Sequence, residues 1–267
     1  MSRSKHIGYR LVLAGLLLVG MFSSSFYMPY RGAGESPIKT IVIDAGHGGK
    51  DPGSVGAKYY EKDITLSVAL KVKKLIEEHL PQMNVVLTRE DDTFIEVHKR
   101  ATMAQDELGD FFVSIHCNGM NDKKWKGTET YVMGINSWQE TYQRIVAENE
   151  AILFEEDHAE MYGGFDPKSP EGFIYFKLLK DTFRKESSYL AEKVQKQYVH
   201  KLGRKDRGVK QAPFIVLYQS GMPSILTEMG FISNPDEEKF LASEVGQRYL
   251  ANAIFKAIDS YNSEFKY

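Results

Sequence analysis

The sequence predicts an α/β fold built on a largely parallel sheet that helices cover on both faces. Short apolar segments rich in β-branched residues alternate with amphipathic helical segments from residue 40 to residue 116, and this alternation builds parallel sheets. The chain has 267 residues, of which 42% are hydrophobic, so it is long enough to bury a sizeable core. We therefore place one globular domain at residues 38–267.

The first half of this domain contains three predicted strands and two predicted helices. The strands are residues 41–43, 84–88 and 111–116. The first helix has Asp63 as its N-cap and ends at Pro81. The second helix follows the capping-box pattern of Thr93 and Glu96 and ends near Leu108.

A charged segment, residues 136–187, interrupts the alternation after a fourth strand at residues 128–133. Its apolar residues at helical spacing, Trp138, Tyr142 and Val146, predict one helix, and a second is predicted from about residue 172 to residue 183. Because strand-like segments resume at residues 214–217 and 224–227, we interpret 136–187 as an insertion within the domain. The remaining predicted helices are residues 187–202, one capped by Asn234, and a last one ending near Tyr261.

The N-terminus has the order of a secretory signal peptide over residues 1–25. Three basic residues precede a short apolar run that ends in Ser23–Ser25, and the run is too short for a comfortable membrane span. An uncleaved anchor is the alternative. Residues 26–37 read as a linker or mature N-terminal tail. We therefore expect an exported protein of the periplasm or cell envelope, with no stable membrane span after signal cleavage.

The charge balance argues against a nucleic-acid-binding protein, and the cysteine content excludes a domain stabilised by internal disulfides. The formal net charge is −2, with 34 basic and 36 acidic residues, so no global field attracts nucleic acid. Cys117 is the single cysteine, so no intramolecular disulfide can form. Since Cys117 lies in an apolar strand, we expect it to be a packing residue and not a nucleophile.

Four chemically active residues lie at predicted strand ends or in adjoining loops. His47 lies in the glycine-dense loop after the first strand, and His116 and Glu228 lie at the ends of later strands. Glu61 lies in the loop ahead of the first predicted helix. Functional residues of such sheets gather outside the carboxyl ends of the strands, so we expect these four side chains to meet there.

Two histidines and a carboxylate are a common catalytic zinc set that leaves a fourth position for water. A further glutamate beside them would take the proton of that water and return it to a leaving nitrogen. Asp44 is expected to brace the loop or to orient a ligand histidine. The candidate ligands are scattered and fit no compact zinc motif, so the pattern indicates a zinc hydrolase without naming its substrate.

Six blocks of sequence, in order, resemble the zinc-dependent N-acetylmuramoyl-L-alanine amidases of bacterial cell walls. They are IDAGHGGKDPGSVG, YYEKDITLSVAL, VLTREDDTF, FVSIHCNG, GTETYVMG and PSILTEMGFISNPDEEKFL. The resemblance runs from about Lys39 to Tyr261, apart from the insertion. It implies a three-layer fold with a twisted mixed sheet of about six strands flanked by helices.

The resemblance also implies roles for the four residues. The zinc ligands of the family fall on His47, Glu61 and His116, and its catalytic glutamate falls on Glu228. The implied reaction is cleavage of the amide between N-acetylmuramic acid and the L-alanine of the peptidoglycan stem peptide, in cell-wall remodelling or daughter-cell separation. Two alternatives are a catalytically inactive peptidoglycan-binding or division scaffold, and a zinc peptidase that cuts within stem peptides.

The insertion resembles that of the family branch that works in cell division. In that branch a helix covers the zinc, contributes a glutamate to it, and is displaced by an activator protein. The resemblance therefore implies autoinhibition, with Glu148, Glu150 or Glu155 as the blocking ligand. The alternative is a solvated acidic helix that only walls the groove.

Overall fold

A computed structural model describes residues 38–136, 138–169 and 183–264 of the chain. The described strands are β1 (Thr40–Ala45), β2 (Asn84–Leu87), β3 (Phe111–Asn118), β4 (Thr128–Met133), β5 (Asp206–Ala212) and β6 (Ser224–Phe231). The described α-helices are α1 (Glu61–His79), α2 (Val97–Asp106), α3 (Trp138–Asn149), α4 (His158–Met161), α5 (Arg184–Leu202), α6 (Ile215–Ser220), α7 (Pro235–Ala242) and α8 (Glu244–Glu264). A 3₁₀ turn, Glu150–Phe154, connects α3 to α4.

The six strands form one mixed sheet in the order β2-β1-β3-β6-β4-β5. The β4–β6 pair is antiparallel and the other four pairs are parallel. Successive residues of a strand point to opposite faces, and both faces are buried here, which explains the continuous apolar runs of β1 and β3. The predicted three-layer fold with about six strands is confirmed.

Each face of the sheet has its own apolar core. One core combines Ile43 and Ile115 of the sheet with the inner sides of α1, α5 and α8. The other core combines Phe112 and Leu226 with the inner sides of α2, α3 and α6. Cys117 is fully buried in the first core, where burial raises the pKa of its thiol, as expected of a packing residue.

Two helix starts differ from the prediction. Helix α1 begins at Glu61 with Tyr60 as its N-cap, so Asp63 does not cap it. Helix α2 begins at Val97 with Glu96 as its N-cap, the Glu96 side chain makes no cap hydrogen bond, and Thr93 donates to Asp91 outside the helix. The capping-box prediction is therefore wrong. The predicted cap at Asn234 is confirmed, since its side chain accepts the amide protons of residues 236 and 237.

One predicted strand is also wrong. The sequence predicts a strand at residues 214–217, but Ile215–Ser220 forms α6, and the adjacent strand is β5, Asp206–Ala212. Strand β5 lies at the edge of the sheet, and only Ala212 is fully buried in it. An edge strand faces water along much of its length, so its sequence, DRGVKQA, carries no apolar signal.

Parts of the prediction lie outside the described residues. These are the signal peptide and linker over residues 1–37 and nearly all of the helix predicted at 172–183. Among the residues that the structure describes, no helix combines the length and apolar character needed to cross a membrane.

Candidate metal centre

The loop after β1 holds His47 in a conformation that is unusual for a residue with a side chain. Its φ angle is 62°, in the left-handed region, and such a conformation persists only where the surroundings hold it. Arg100 donates to the carbonyl oxygen of His47 at 2.8 Å, and Arg89 donates to that of Gly46 at 2.9 Å. Two buried arginines therefore hold the backbone that carries His47.

Glycines allow this backbone to pass close to the functional side chains. A Cβ atom on Gly46 would lie 2.4 Å from Cε1 of His116. A Cβ atom on Gly53 would lie 2.5 Å from Cδ2 of His47 and 2.7 Å from Oε2 of Glu61, and Gly53 has a φ angle of 65°. No larger residue fits either position without displacing the cluster.

His47, Glu61, His116 and Glu148 converge at the carboxyl edge of the sheet, with one potential ligand atom of each within 4.8 Å of the others. Nε2 of His47 lies 3.2 Å from Oε1 of Glu61 and 3.3 Å from Oε2 of Glu148. Nδ1 of His116 lies 3.1 Å from Oε1 of Glu61 and 2.8 Å from Oε2 of Glu148. This group is suited to holding a metal ion.

The ring nitrogens that face away from this group have their own acceptors. Nδ1 of His47 lies 2.8 Å from Oδ2 of Asp51. Nε2 of His116 lies 3.1 Å from the Ser114 hydroxyl, which donates to Asp44 at 2.6 Å. A proton on each outer nitrogen leaves the lone pair of the inner nitrogen directed at the cluster.

Asp44 therefore both braces the loop and orients His116 through Ser114. Arg100 donates to Asp44 at 2.8 Å. Burial alone would raise the pKa of Asp44, but Arg100 and the hydrogen bonds from Ser114 and Thr88 lower that pKa to about 2. The direct partner of His47 is Asp51, which the sequence analysis missed although it follows His47 by four residues in the same glycine-rich loop.

The two carboxylates of the cluster favour positive charge at its centre. Burial opposes protonation of His116, but Glu148 and Glu61 raise the pKa of its imidazole to about 10. Burial also opposes protonation of His47, but the Glu61, Asp51 and Glu148 carboxylates outweigh it and raise the pKa of His47 well above the ordinary range. A cation at the centre would meet the same two carboxylates.

Glu228 lies beside this cluster on β6. Its Cα is the register partner of the Cα of His116 on β3. Its side chain is fully buried, and neither carboxylate oxygen has a hydrogen-bond partner among the described residues. Burial, with the neighbouring carboxylates of Glu148 and Glu61, raises the pKa of Glu228 well above its ordinary value.

The three candidate glutamates of the insertion have different surroundings. Glu148 lies in the cluster. Glu150 is partly exposed and pairs with Lys168 at 2.9 Å. Glu155 accepts the Val97 amide proton at 2.7 Å and thereby caps helix α2 from outside. Only Glu148 of these three is placed to contact a metal held by the histidines.

The fold and this site define a class: an α/β protein with a candidate metal centre at the carboxyl edge of a mixed sheet. A family model described as N-acetylmuramoyl-L-alanine amidase, Amidase_3, matches residues 41–260, and the chain belongs to this family. Membership makes it an amidase that acts on the peptidoglycan of the cell wall.

Three similar proteins cover most of the chain. The uncharacterised protein YqiI of Bacillus subtilis is 35% identical over 94% of this chain and 95% of its own length. The N-acetylmuramoyl-L-alanine amidase of Clostridium difficile 630 is 30% identical, with a TM-score of 0.63 over 85% of this chain and 97% of that chain. The CwlD amidase of Clostridioides difficile, solved in complex with the GerS lipoprotein, is 28% identical, with a TM-score of 0.61 over 85% of this chain and 99% of that chain.

Proposed function

We propose that the chain is a zinc-dependent amidase in which His47, Glu61 and His116 hold the metal and Glu228 is the general base. Its substrate is the amide between N-acetylmuramic acid and the L-alanine of a stem peptide. The observation that carries this proposal is the convergence of two imidazole nitrogens and two carboxylate oxygens on one buried point.

The cluster fits a zinc ion in residue type and in spacing. Bonds of about 2.0–2.2 Å place the ligand atoms of a tetrahedral zinc roughly 3.4 Å apart. The four contacts in the cluster measure 2.8–3.3 Å. Nε2 of His47 and Oε2 of Glu148 are buried without a hydrogen-bond partner among the described residues, although each lies within 3.3 Å of the other. Buried polar atoms in such an arrangement need a shared partner, which a cation supplies.

The proposed reaction is hydrolysis of a carbon–nitrogen bond by water. A zinc ion held by His47, Glu61 and His116 would supply Lewis acidity, which would lower the pKa of the attacking water and polarise the scissile carbonyl. The Glu228 carboxylate accepts a proton as the water oxygen bonds to the carbonyl carbon. Glu228 then donates that proton to the nitrogen of L-alanine as the carbon–nitrogen bond breaks.

Asp51 carries a prediction about metal affinity. Replacing it in Asp51→Asn weakens the acceptor that fixes the His47 ring, so we expect zinc affinity to fall about 10- to 100-fold. Competition with a chromogenic chelator measures the affinity directly. Asp106→Asn is the matched control, because Asp106 is exposed at the end of α2. Equal zinc affinity in Asp51→Asn and the control would contradict the role given to Asp51.

We infer that helix α3 inhibits the enzyme through Glu148. Three protein ligands leave a fourth position for water in catalytic zinc sites. Oε2 of Glu148 lies 2.8 Å from His116 and 3.3 Å from His47, so it would take that fourth position. Activity then requires α3 to move, and the insertion at 136–187 is the regulatory element of this proposal. The GerS lipoprotein bound to the CwlD amidase supports an activator protein as the cause of that movement.

A single substitution tests this inhibition. We expect Glu148→Ala to release stem peptides from peptidoglycan at least about tenfold faster than the wild type, because the fraction of molecules with an open site limits the observed rate. Glu150→Ala is the control, since Glu150 pairs with Lys168 outside the cluster, and its rate should match that of the wild type. An unchanged or lower rate for folded, zinc-loaded Glu148→Ala would show that Glu148 does not inhibit.

The proposed location is the cell envelope. The substrate of the family lies outside the cytoplasmic membrane, and residues 1–25 have the pattern of a signal peptide. Export followed by signal removal would deliver the amidase domain, residues 38–267, to peptidoglycan.

A further inference from the structure

A second buried charge cluster surrounds Glu129 on β4, outside the candidate metal centre. Glu129 is fully buried, and its Oε1 accepts a proton from the Tyr131 hydroxyl at 2.8 Å. Nε of Arg144 lies 2.8 Å from Oε1 of Glu129. Nε of Arg207 lies 3.5 Å from Oε2. Nζ of Lys210 lies 3.1 Å from the same Oε2, so one carboxylate is shared by two guanidinium groups and one ammonium group.

This cluster adjoins the proposed reaction site. Glu129 is the register partner of Glu228 in the antiparallel β4–β6 pair, as His116 is in the parallel β3–β6 pair. Register partners point to the same face of a sheet, so the three residues form a row across adjacent strands. Neighbouring strands lie about 4.8 Å apart, so Glu129 lies one strand away from the proposed general base, Glu228, and the two arginines lie on the far side of Glu129.

The two guanidinium groups have unfilled capacity for an anion. Among the residues that the structure describes, Glu129 is the one carboxylate within salt-bridge distance of Arg144 or Arg207. Nη2 of Arg144, whose side chain is 3% exposed, is buried without a hydrogen-bond partner in that part of the chain. Nε of Arg207 also lacks a hydrogen bond, because its 3.5 Å contact with Glu129 is an ion pair without hydrogen-bond geometry, and Nη1 of Arg207 donates to the Lys126 carbonyl oxygen at 3.4 Å. Leaving such donors unsatisfied is costly, and a carboxylate is the acceptor that guanidinium groups bind best.

The Trp125 indole gives the two arginines a common support. The Arg207 guanidinium lies 4.0 Å from the Trp125 ring centroid, and the Arg144 guanidinium lies 5.7 Å from it. Stacking on a ring leaves the edge of a guanidinium available for two parallel bonds to a carboxylate. Three exposed lysines of the same loop add positive charge at the rim of this cluster: Lys123, Lys124 and Lys126.

We propose that Arg207 forms a subsite for a carboxylate of the stem peptide, to which Arg144 of α3 adds only while that helix keeps its present position. This inference rests on the proposed function, because it assumes that the scissile amide lies at Glu228. Consecutive Cα atoms of a peptide are about 3.8 Å apart, so the carboxylate belongs to a residue one or two positions beyond the L-alanine. Arg207 is the principal contact, because it belongs to β5 and stays with the sheet when α3 moves.

The test compares two substrates that differ in one charge. The full chain carrying Glu148→Ala is assayed on N-acetylmuramoyl-L-alanyl-D-glutamate and on the counterpart whose carboxyl group nearest the alanine is an amide. We expect kcat/KM to favour the acid by about 10- to 100-fold, the range for a charged hydrogen bond. Adding Arg207→Gln should lower the rate on the acid to that on the amide, and adding Lys205→Gln should change either rate by less than about threefold.

Binding to an inactive protein decides the question independently of turnover. Calorimetry on Glu148→Ala with Glu228→Gln measures the affinity for the same two compounds, with and without Arg207→Gln. A preference for the acid that Arg207→Gln abolishes supports the subsite. Equal affinities, or an equal loss on both compounds, would overturn it. Absence of hydrolysis with a preserved binding preference would count against the proposed function and leave the subsite standing.

Discussion

Replacing the proposed general base in Glu228→Gln is expected to lower kcat by about three or more orders of magnitude. The amide of glutamine cannot accept the proton of the attacking water or return it to the leaving nitrogen. The four residues of the candidate metal centre do not include Glu228, so the variant should retain one zinc per chain. Turnover of muropeptides and the zinc content of the same sample measure both quantities.

The control for this variant is Glu244→Gln, which removes an equal charge from an exposed position at the start of α8. Its turnover and zinc content should match those of the wild type. Near wild-type turnover in Glu228→Gln would remove Glu228 from the mechanism.

His47→Ala is expected to abolish both zinc binding and activity, with a loss of at least about three orders of magnitude in turnover. The substitution removes the nitrogen that lies 3.2 Å from Oε1 of Glu61, so two of the three proposed ligands remain. Treatment of the wild type with a chelator should cause a similar loss, which added zinc should reverse. Elemental analysis of the purified variant reports the metal directly.

His200→Ala serves as the matched control, because His200 is exposed near the end of α5. It should retain zinc and turnover. A His47→Ala protein that binds zinc with wild-type affinity would show that His47 is not a ligand.

Point substitutions test the insertion more sharply than deletions, because the insertion supports the rest of the domain. Glu155 caps α2 by accepting the Val97 amide proton. Asn149 caps α6 by accepting the Ile215 amide proton at 3.0 Å and donates to the Pro213 carbonyl oxygen. Deleting these residues would leave buried backbone groups unpaired, at a cost of about 1–3 kcal/mol each, so a deletion mixes loss of inhibition with loss of stability.

The fold was predictable where local pattern and burial agree. Strands β1 and β3 are buried on both faces, and their apolar runs show this in the sequence. The pattern failed at β5 and α6, because an edge strand can be polar and a six-residue helix has too few residues to display a period. Strand order and the antiparallel β4–β6 pair depend on contacts between distant segments, which local pattern does not contain.

The candidate site was also predictable only where the local sequence pattern identifies a residue's position. His47, His116 and Glu228 were placed by their positions at strand ends. The choice among the insertion glutamates depends on which face of α3 is turned toward the cluster. The apolar spacing at Tyr142 and Val146 does not identify that face. The buried face of α3 carries Thr141, Ile145 and Glu148, three and four residues apart. Polar residues on that face carry the contacts, so hydrophobic spacing alone misses it.

Digestion of purified sacculi by zinc-loaded Glu148→Ala, with products identified by mass, tests the central claim most directly. If the protein is an amidase, the products are intact stem peptides with a free L-alanine amino group, and the glycan strands remain uncut. Stem peptides cut internally would identify a peptidase. No products from a folded, zinc-loaded protein would identify a binding protein, and either result would contradict the amidase mechanism.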